Sequence, residues 1–230
     1  MNPNKTARVA GLLYLLMVAL GIFGIMYVPS NLIVPGDAKT TANNIMASAS
    51  LFRLSLVSAL FCQSVFILVV LVLYKLLKPV SKNHAVLMVI FMLIAVPIAM
   101  LSELNRFAAL LLLNGADYLT VFTAEQLQAL VPFFLDLNAD GITIASIFWG
   151  LWLFPMGYLV FKSGYLPRIL GVFLIMAGFG YLTDSFAIIL CPSFKGIGLF
   201  TAWGKILFPL WLLIKGVNVE QWEKRALESA

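Results

Sequence analysis

The stretch AMLSELNRFAALLLLN (Ala99 to Asn114) sets Glu103 and Arg106 three residues apart inside an otherwise apolar run. On a helix, residues i and i+3 share a face, so these two can pair with each other or face one ligand together. Asp136 and Asp140 are spaced i and i+4 and share a face in the same way. Asp184 and Lys205 stand in two later apolar runs, and Arg53 opens an earlier one. The chemistry on offer is anion binding by Arg53, Arg106 and Lys205, and proton carriage or acid–base work by the four carboxylates. Other chemistries lack their residues. There is no phosphate-binding P-loop and no G-x-S-x-G nucleophile elbow. With one histidine, His84, and two separated cysteines, Cys62 and Cys191, no metal-ligand spacing or disulfide framework exists. No basic patch interleaved with aromatics suggests nucleic acid, and no cofactor is implied.

The elements that must position these charges are membrane helices. Of the 230 residues, 62% are hydrophobic and only 11% charged, and the mean hydropathy is +1.02. A soluble domain is about 45–50% apolar and about 25% charged. Six candidate spans follow at 9–28, 52–74, 85–113, 127–161, 168–190 and 197–214. The first is too long for a signal-peptide core and reads as a retained helix. Residues 1–215 form a single membrane domain, and 216–230 a cytoplasmic tail that is either an interfacial helix or frayed.

Lysine and arginine set the orientation. With the N-terminus inside, the inner segments hold Lys5, Arg8, Lys75, Lys78, Lys82, Lys162, Arg168, Lys215, Lys224 and Arg225, against Lys39 and Lys195 outside. Both termini are therefore expected in the cytoplasm. Two outer loops read as partly helical. Asp37 is a candidate N-cap in PGDAKTTANNIMASAS, and Thr123 with Gln126 makes a capping-box pattern. Pro132 and Gly141 are expected to divide the long 127–161 segment. Trp149, Trp152 and Trp211 read as interfacial or lipid-facing aromatics. Gly21, Gly24, Gly171, Gly178 and Gly180 read as positions of close helix packing. LYKLLKPVSK and YLVFKSGYLPR resemble each other, with Tyr74 and Lys78 matching Tyr158 and Lys162, from a duplicated helix pair or from ordinary interfacial anchoring.

A rise of about 1.5 Å per residue places Glu103 roughly 27 Å from the inner boundary, Asp140 roughly 31 Å and Asp184 roughly 24 Å. Lys205 falls deeper, roughly 14 Å up, where a lysine costs about 2.5–3.5 kcal/mol. A pair between Lys205 and Asp184 would relieve that cost. Lipid-facing charge is disfavoured, so all seven side chains are expected to converge in an outward-facing polar cavity.

The chain resembles the bacterial family called domain of unknown function 4386. The resemblance rests on RVAGLLYLLM (Arg8 to Met17), GDAKTTANNI (Gly36 to Ile45), LFRLS (Leu51 to Ser55), LYKLLKPVSK and the block Phe148 to Leu182 with KSGYLP at Lys162 to Pro167. It implies a polytopic bacterial inner-membrane protein, without a settled activity or functional residues to carry over.

These observations frame an all-α bundle of six membrane helices in the lipid bilayer. The leading function is binding or transport of a small polar, anionic or amphiphilic molecule. Arg53, Arg106 and Lys205 would meet its anionic group, and Glu103, Asp136, Asp140 and Asp184 would set the field. A non-catalytic assembly or stress-response partner is the second reading, and an intramembrane lipid-modifying enzyme using acidic residues the third.

Overall fold

The computed structural model describes residues 2–115, 119–191 and 203–229, and these form helices and connecting turns with no strand among them. The helices are α1 (Pro3–Gly21), a π-helical stretch (Ile22–Tyr27), α2 (Val28–Leu32), α3 (Ala38–Ala47), α4 (Ala49–Leu77), α5 (Lys82–Leu113), α6 (Ala124–Leu151), α7 (Leu153–Ser163), α8 (Arg168–Leu190), α9 (Trp203–Ile214) and α10 (Val219–Glu228). Among the described residues, five segments are long and apolar enough to cross a bilayer: Pro3–Leu32, Ala49–Leu77, Lys82–Leu113, Ala124–Ser163 and Arg168–Leu190. The sixth expected span, 197–214, lies partly outside the described residues. Its described part, α9, is an apolar helix of 12 residues.

Both expected caps form as their residues dictate. The Asp37 side chain accepts the Thr40 backbone N–H at 2.9 Å and opens α3. Its other oxygen accepts the Thr40 hydroxyl at 2.7 Å, and these bonds hold its carboxyl below the usual range. Thr123 and Gln126 exchange backbone-to-side-chain bonds of 2.9 and 3.2 Å ahead of α6.

The break in the long fourth segment is not where Pro132 and Gly141 suggested. α6 runs unbroken through both, and the interruption falls at Trp152. Pro155 supplies the reason: it has no N–H for the Leu151 carbonyl, so the α6 ladder ends there. Gly141 is instead a packing position, since a Cβ on it would lie 2.1 Å from Ser102 Oγ.

The chain divides into two compact units. One comprises residues 1–16, 65–96 and 144–230. In it, Trp152 is fully buried rather than interfacial, stacked on Tyr14 with centroids 6.4 Å apart and met edge-on by Phe66 at 5.1 Å. α7 and α8 pack through Gly157 and Gly171, where an added Cβ would sit 2.7 and 2.6 Å from the opposing backbone oxygen. The KSGYLP block closes this hairpin. Gly164 takes a left-handed φ of 78°, which a Cβ would strain. Tyr165 donates its hydroxyl to the Leu76 carbonyl at 2.9 Å, near the C-terminus of α4. Trp222 Nε1 of α10 donates to the same carbonyl, also at 2.9 Å. Asn218 N–H donates to Tyr165 O, and Arg225 to Lys162 O. The tail is therefore a docked helix: Trp222 is buried and its neighbours cap the end of another helix.

The other unit comprises residues 17–64 and 97–143. Its apolar core is Val28, Leu32, Ile45, Phe52, Leu56, Ala109, Leu110, Val131 and Leu135.

Candidate functional site

The second unit contains a buried ion pair. Arg106 Nη1 lies 3.1 Å from Glu103 Oε2, and each side chain is only 3% exposed. The spacing in the sequence makes this pair, since both residues sit on one face of α5. Charges this deep persist only when their hydrogen bonds are supplied, and three other elements supply them.

The first donor–acceptor match comes from the π-helical stretch. In an α-helix the Gly24 carbonyl would accept the Val28 N–H. Here that N–H goes to Phe23 O. In the wider register the donor would be residue 29, which is a proline and has no N–H. Gly24 O is thus left without a backbone donor, and Arg106 Nη1 donates to it at 3.2 Å. Gly24 also lets the chain approach α4, since a Cβ would fall 2.7 Å from Ser55 O and 2.8 Å from Ala59 N.

The second comes from α4. Arg106 Nη2 donates to Ser55 Oγ, and Ser55 donates in turn to Phe52 O at 2.7 Å. The Phe52 ring lies beneath the guanidinium, 4.8 Å from its carbon. The third comes from α6: Asn138 approaches the Glu103 carboxylate and donates to Ser102 O at 2.9 Å. Arg106 Nε is buried and has no partner among the described residues.

The other expected site residues are placed differently. Arg53, Asp136 and Asp140 are exposed, so α4 and α6 turn these charges away from the buried pair. Arg53 shows the reason: Phe52, Ser55 and Leu56 occupy the buried face of α4, and the intervening position must point elsewhere. Asp184 and Lys205 belong to the first unit. Lys205 donates to the Tyr181 hydroxyl and lies 4.4 Å from that ring's centroid. A Lys205–Asp184 pair is not among the described ion pairs. Tyr181 precedes Asp184 by one helical turn and meets the lysine. Of the seven residues, the structure brings Glu103 and Arg106 together in direct contact. No group of His, Cys, Asp or Glu suited to a metal occurs among the described residues.

The residues the charge pattern missed are Phe52, Ser55 and Ser102; Asn138 is expected from the sequence to add neutral hydrogen bonding, and Gly24 is legible there only as a packing position. Phe52 and Ser55 stand within LFRLS, where residue type marks only the arginine as chemically active. The signal for Gly24 is the proline five residues on, which removes the donor that a π-turn would need.

A family described as a domain of unknown function (DUF4386) matches residues 9–216 of the chain. An uncharacterised protein of the archaeon Archaeoglobus fulgidus is 32% identical over 159 residues, covering 66% of this chain and 78% of the relative. The likeness is therefore not confined to bacteria. No solved structure matches.

Proposed function

For a chain that belongs to the DUF4386 family, we propose a membrane protein that binds or transports a small polar or amphiphilic molecule through exchange at the Glu103–Arg106 pair. The observation that carries this reading is the unused donor. Arg106 Nε is buried and has no partner among the described residues, so an incoming carboxylate or phosphate can gain a bond that the resting state lacks. Intramembrane ionisable groups commonly mark such pathways, and π-turns often stand beside them. In this reading the anionic group of the ligand displaces Glu103 from Arg106. Exposed Arg53, Asp136 and Asp140 form its approach surface.

The wider arrangement follows from the lysine and arginine bias. The chain forms one six-span bundle in a cytoplasmic membrane, with α9 and the residues before it completing the last crossing and both termini inside. A second reading has its own support. Arg106 fills the carbonyl that Gly24 and Pro29 orphan, which is what a structural strut would do.

Native mass spectrometry of the gently solubilised protein, wild type beside Arg106→Lys, separates the two. Lysine keeps the charge but loses the planar fork. Exchange predicts a small-molecule adduct on the wild type that is lost from a folded variant. A bare wild type, with the variant unfolded, supports the strut and contradicts exchange.

A further inference from the structure

Two open cavities lie along the first turns of α1. One, of about 420 Å³, is lined by Asn2, Asn4, Lys5, Arg8, Val9, Leu12 and Leu213. The next, of about 240 Å³, is lined by Asn2, Lys5, Thr6, Val9, Val72 and Lys75. They share Asn2, Lys5 and Val9, so they are adjoining grooves on the two sides of one ridge of α1, one bounded by α9 and the other by α4, and together make a two-sided cleft. Neither lining contains an acidic residue. Lys5, Arg8 and Lys75 are all exposed and none joins a described ion pair.

The cleft is graded in polarity. Cations and amides occupy the end nearest the N-terminus. Val9 and Leu12, 41% and 60% exposed, carry an apolar surface from there along α1, joined by Val72 and Leu213. The asparagines are held in place: Asn2 Oδ1 accepts Lys5 N–H at 3.1 Å, and Asn4 Oδ1 accepts Val217 N–H at 2.9 Å. A soluble anion would use the cations and leave the apolar part bare. An amphiphile with a phosphate head and acyl chains uses both.

We infer that this cleft binds the phosphate head group of an anionic membrane lipid, with Lys5, Arg8 and Lys75 on the phosphate and Val9, Leu12, Val72 and Leu213 on the chains. Basic pockets between helices at a membrane surface recognise anionic heads in this way. The site is independent of the Glu103–Arg106 reading, because none of its residues belongs to that network.

The test is native mass spectrometry of the full chain in detergent with equimolar phosphatidylglycerol and phosphatidylcholine, repeated with excess inorganic phosphate. The wild type should retain phosphatidylglycerol preferentially, with inorganic phosphate a poor competitor. In Lys5→Gln/Arg8→Gln the preference should fall by about fivefold for each cation removed. Lys78→Gln/Lys82→Gln, which neutralises exposed cations outside the cleft, should keep it. Equal retention of both lipids by the wild type overturns the proposal without reference to any variant. So does an equal loss in the Lys78/Lys82 variant, which would mark a diffuse surface charge. Complete displacement by inorganic phosphate assigns the cleft to a soluble anion and overturns the lipid.

Discussion

Glu103 and Arg106 are spaced to meet, and the sequence makes that visible. It does not show what else must meet them. Arg106 spends its donors on a glutamate, a serine and a backbone carbonyl, and rests on an aromatic ring. Removing one member of such a pair leaves the other charged and buried. Arg106→Met should therefore destabilise the protein by about 3–5 kcal/mol, read from thermal or denaturant unfolding in detergent. Adding Glu103→Leu should recover much of that loss, because both charges are then gone. Additive losses would mean that the two side chains do not depend on each other. Arg53, Asp136 and Asp140 were equally conspicuous as charges, yet all three are exposed. Residue type tells that a charge needs a partner or water. The helical phase decides which, and a continuous apolar run conceals the phase.

At the scale of elements, local signals were legible and long-range ones were not. The Asp37 and Thr123 caps depend on residues within three positions, so their pattern is self-contained. The Asp37 carboxyl is depressed by its bonds to Thr40, so its contribution is fully present above the ordinary carboxylate range and is lost as pH falls through the lower folded value. Protection of the α3 amides, taken relative to their intrinsic exchange rates, should fall through that acid window in the wild type, and in Asp37→Ala it should be low and independent of pH there. The interruption at Trp152 was displaced from Pro132 because a proline removes one hydrogen bond without dictating a break. Which proline ends a helix depends on what its neighbours offer. Gly24 shows the same dependence. A methyl there meets backbone atoms of α4 at 2.7 and 2.8 Å, so Gly24→Ala should cost about 1–3 kcal/mol of stability in the same unfolding assay. At the other unit's hairpin, Trp222 and Tyr165 share the Leu76 carbonyl. Trp222→Ala should release α10 to limited proteolysis while the rest of the chain stays resistant.

For the whole molecule, composition alone announced the helices and their apolar length. Mean hydropathy of +1.02 leaves no other home for so many long apolar runs. The expected sixth crossing was harder to read, because its described part, α9, is short and carries Lys205. The lysine finds Tyr181, a partner that a search for opposite charges passes over. Orientation has a direct check in the native cysteines. Cys191 is exposed at the end of α8 and Cys62 is buried. With both termini inside, a membrane-impermeant maleimide should label Cys191 on intact cells, and labelling only after permeabilisation would reverse the topology.

The exchange proposal makes one demand on dynamics: the Glu103–Arg106 pair must open without the protein unfolding. Hydrogen exchange of the full chain in nanodiscs reads this at the π-helical stretch and at residues 97–113 of α5. Local opening predicts that these segments exchange with a free energy well below that of global unfolding, while the buried face of α4 stays protected. Exchange of all these segments only through global unfolding would make the pair a permanent strut and contradict the account.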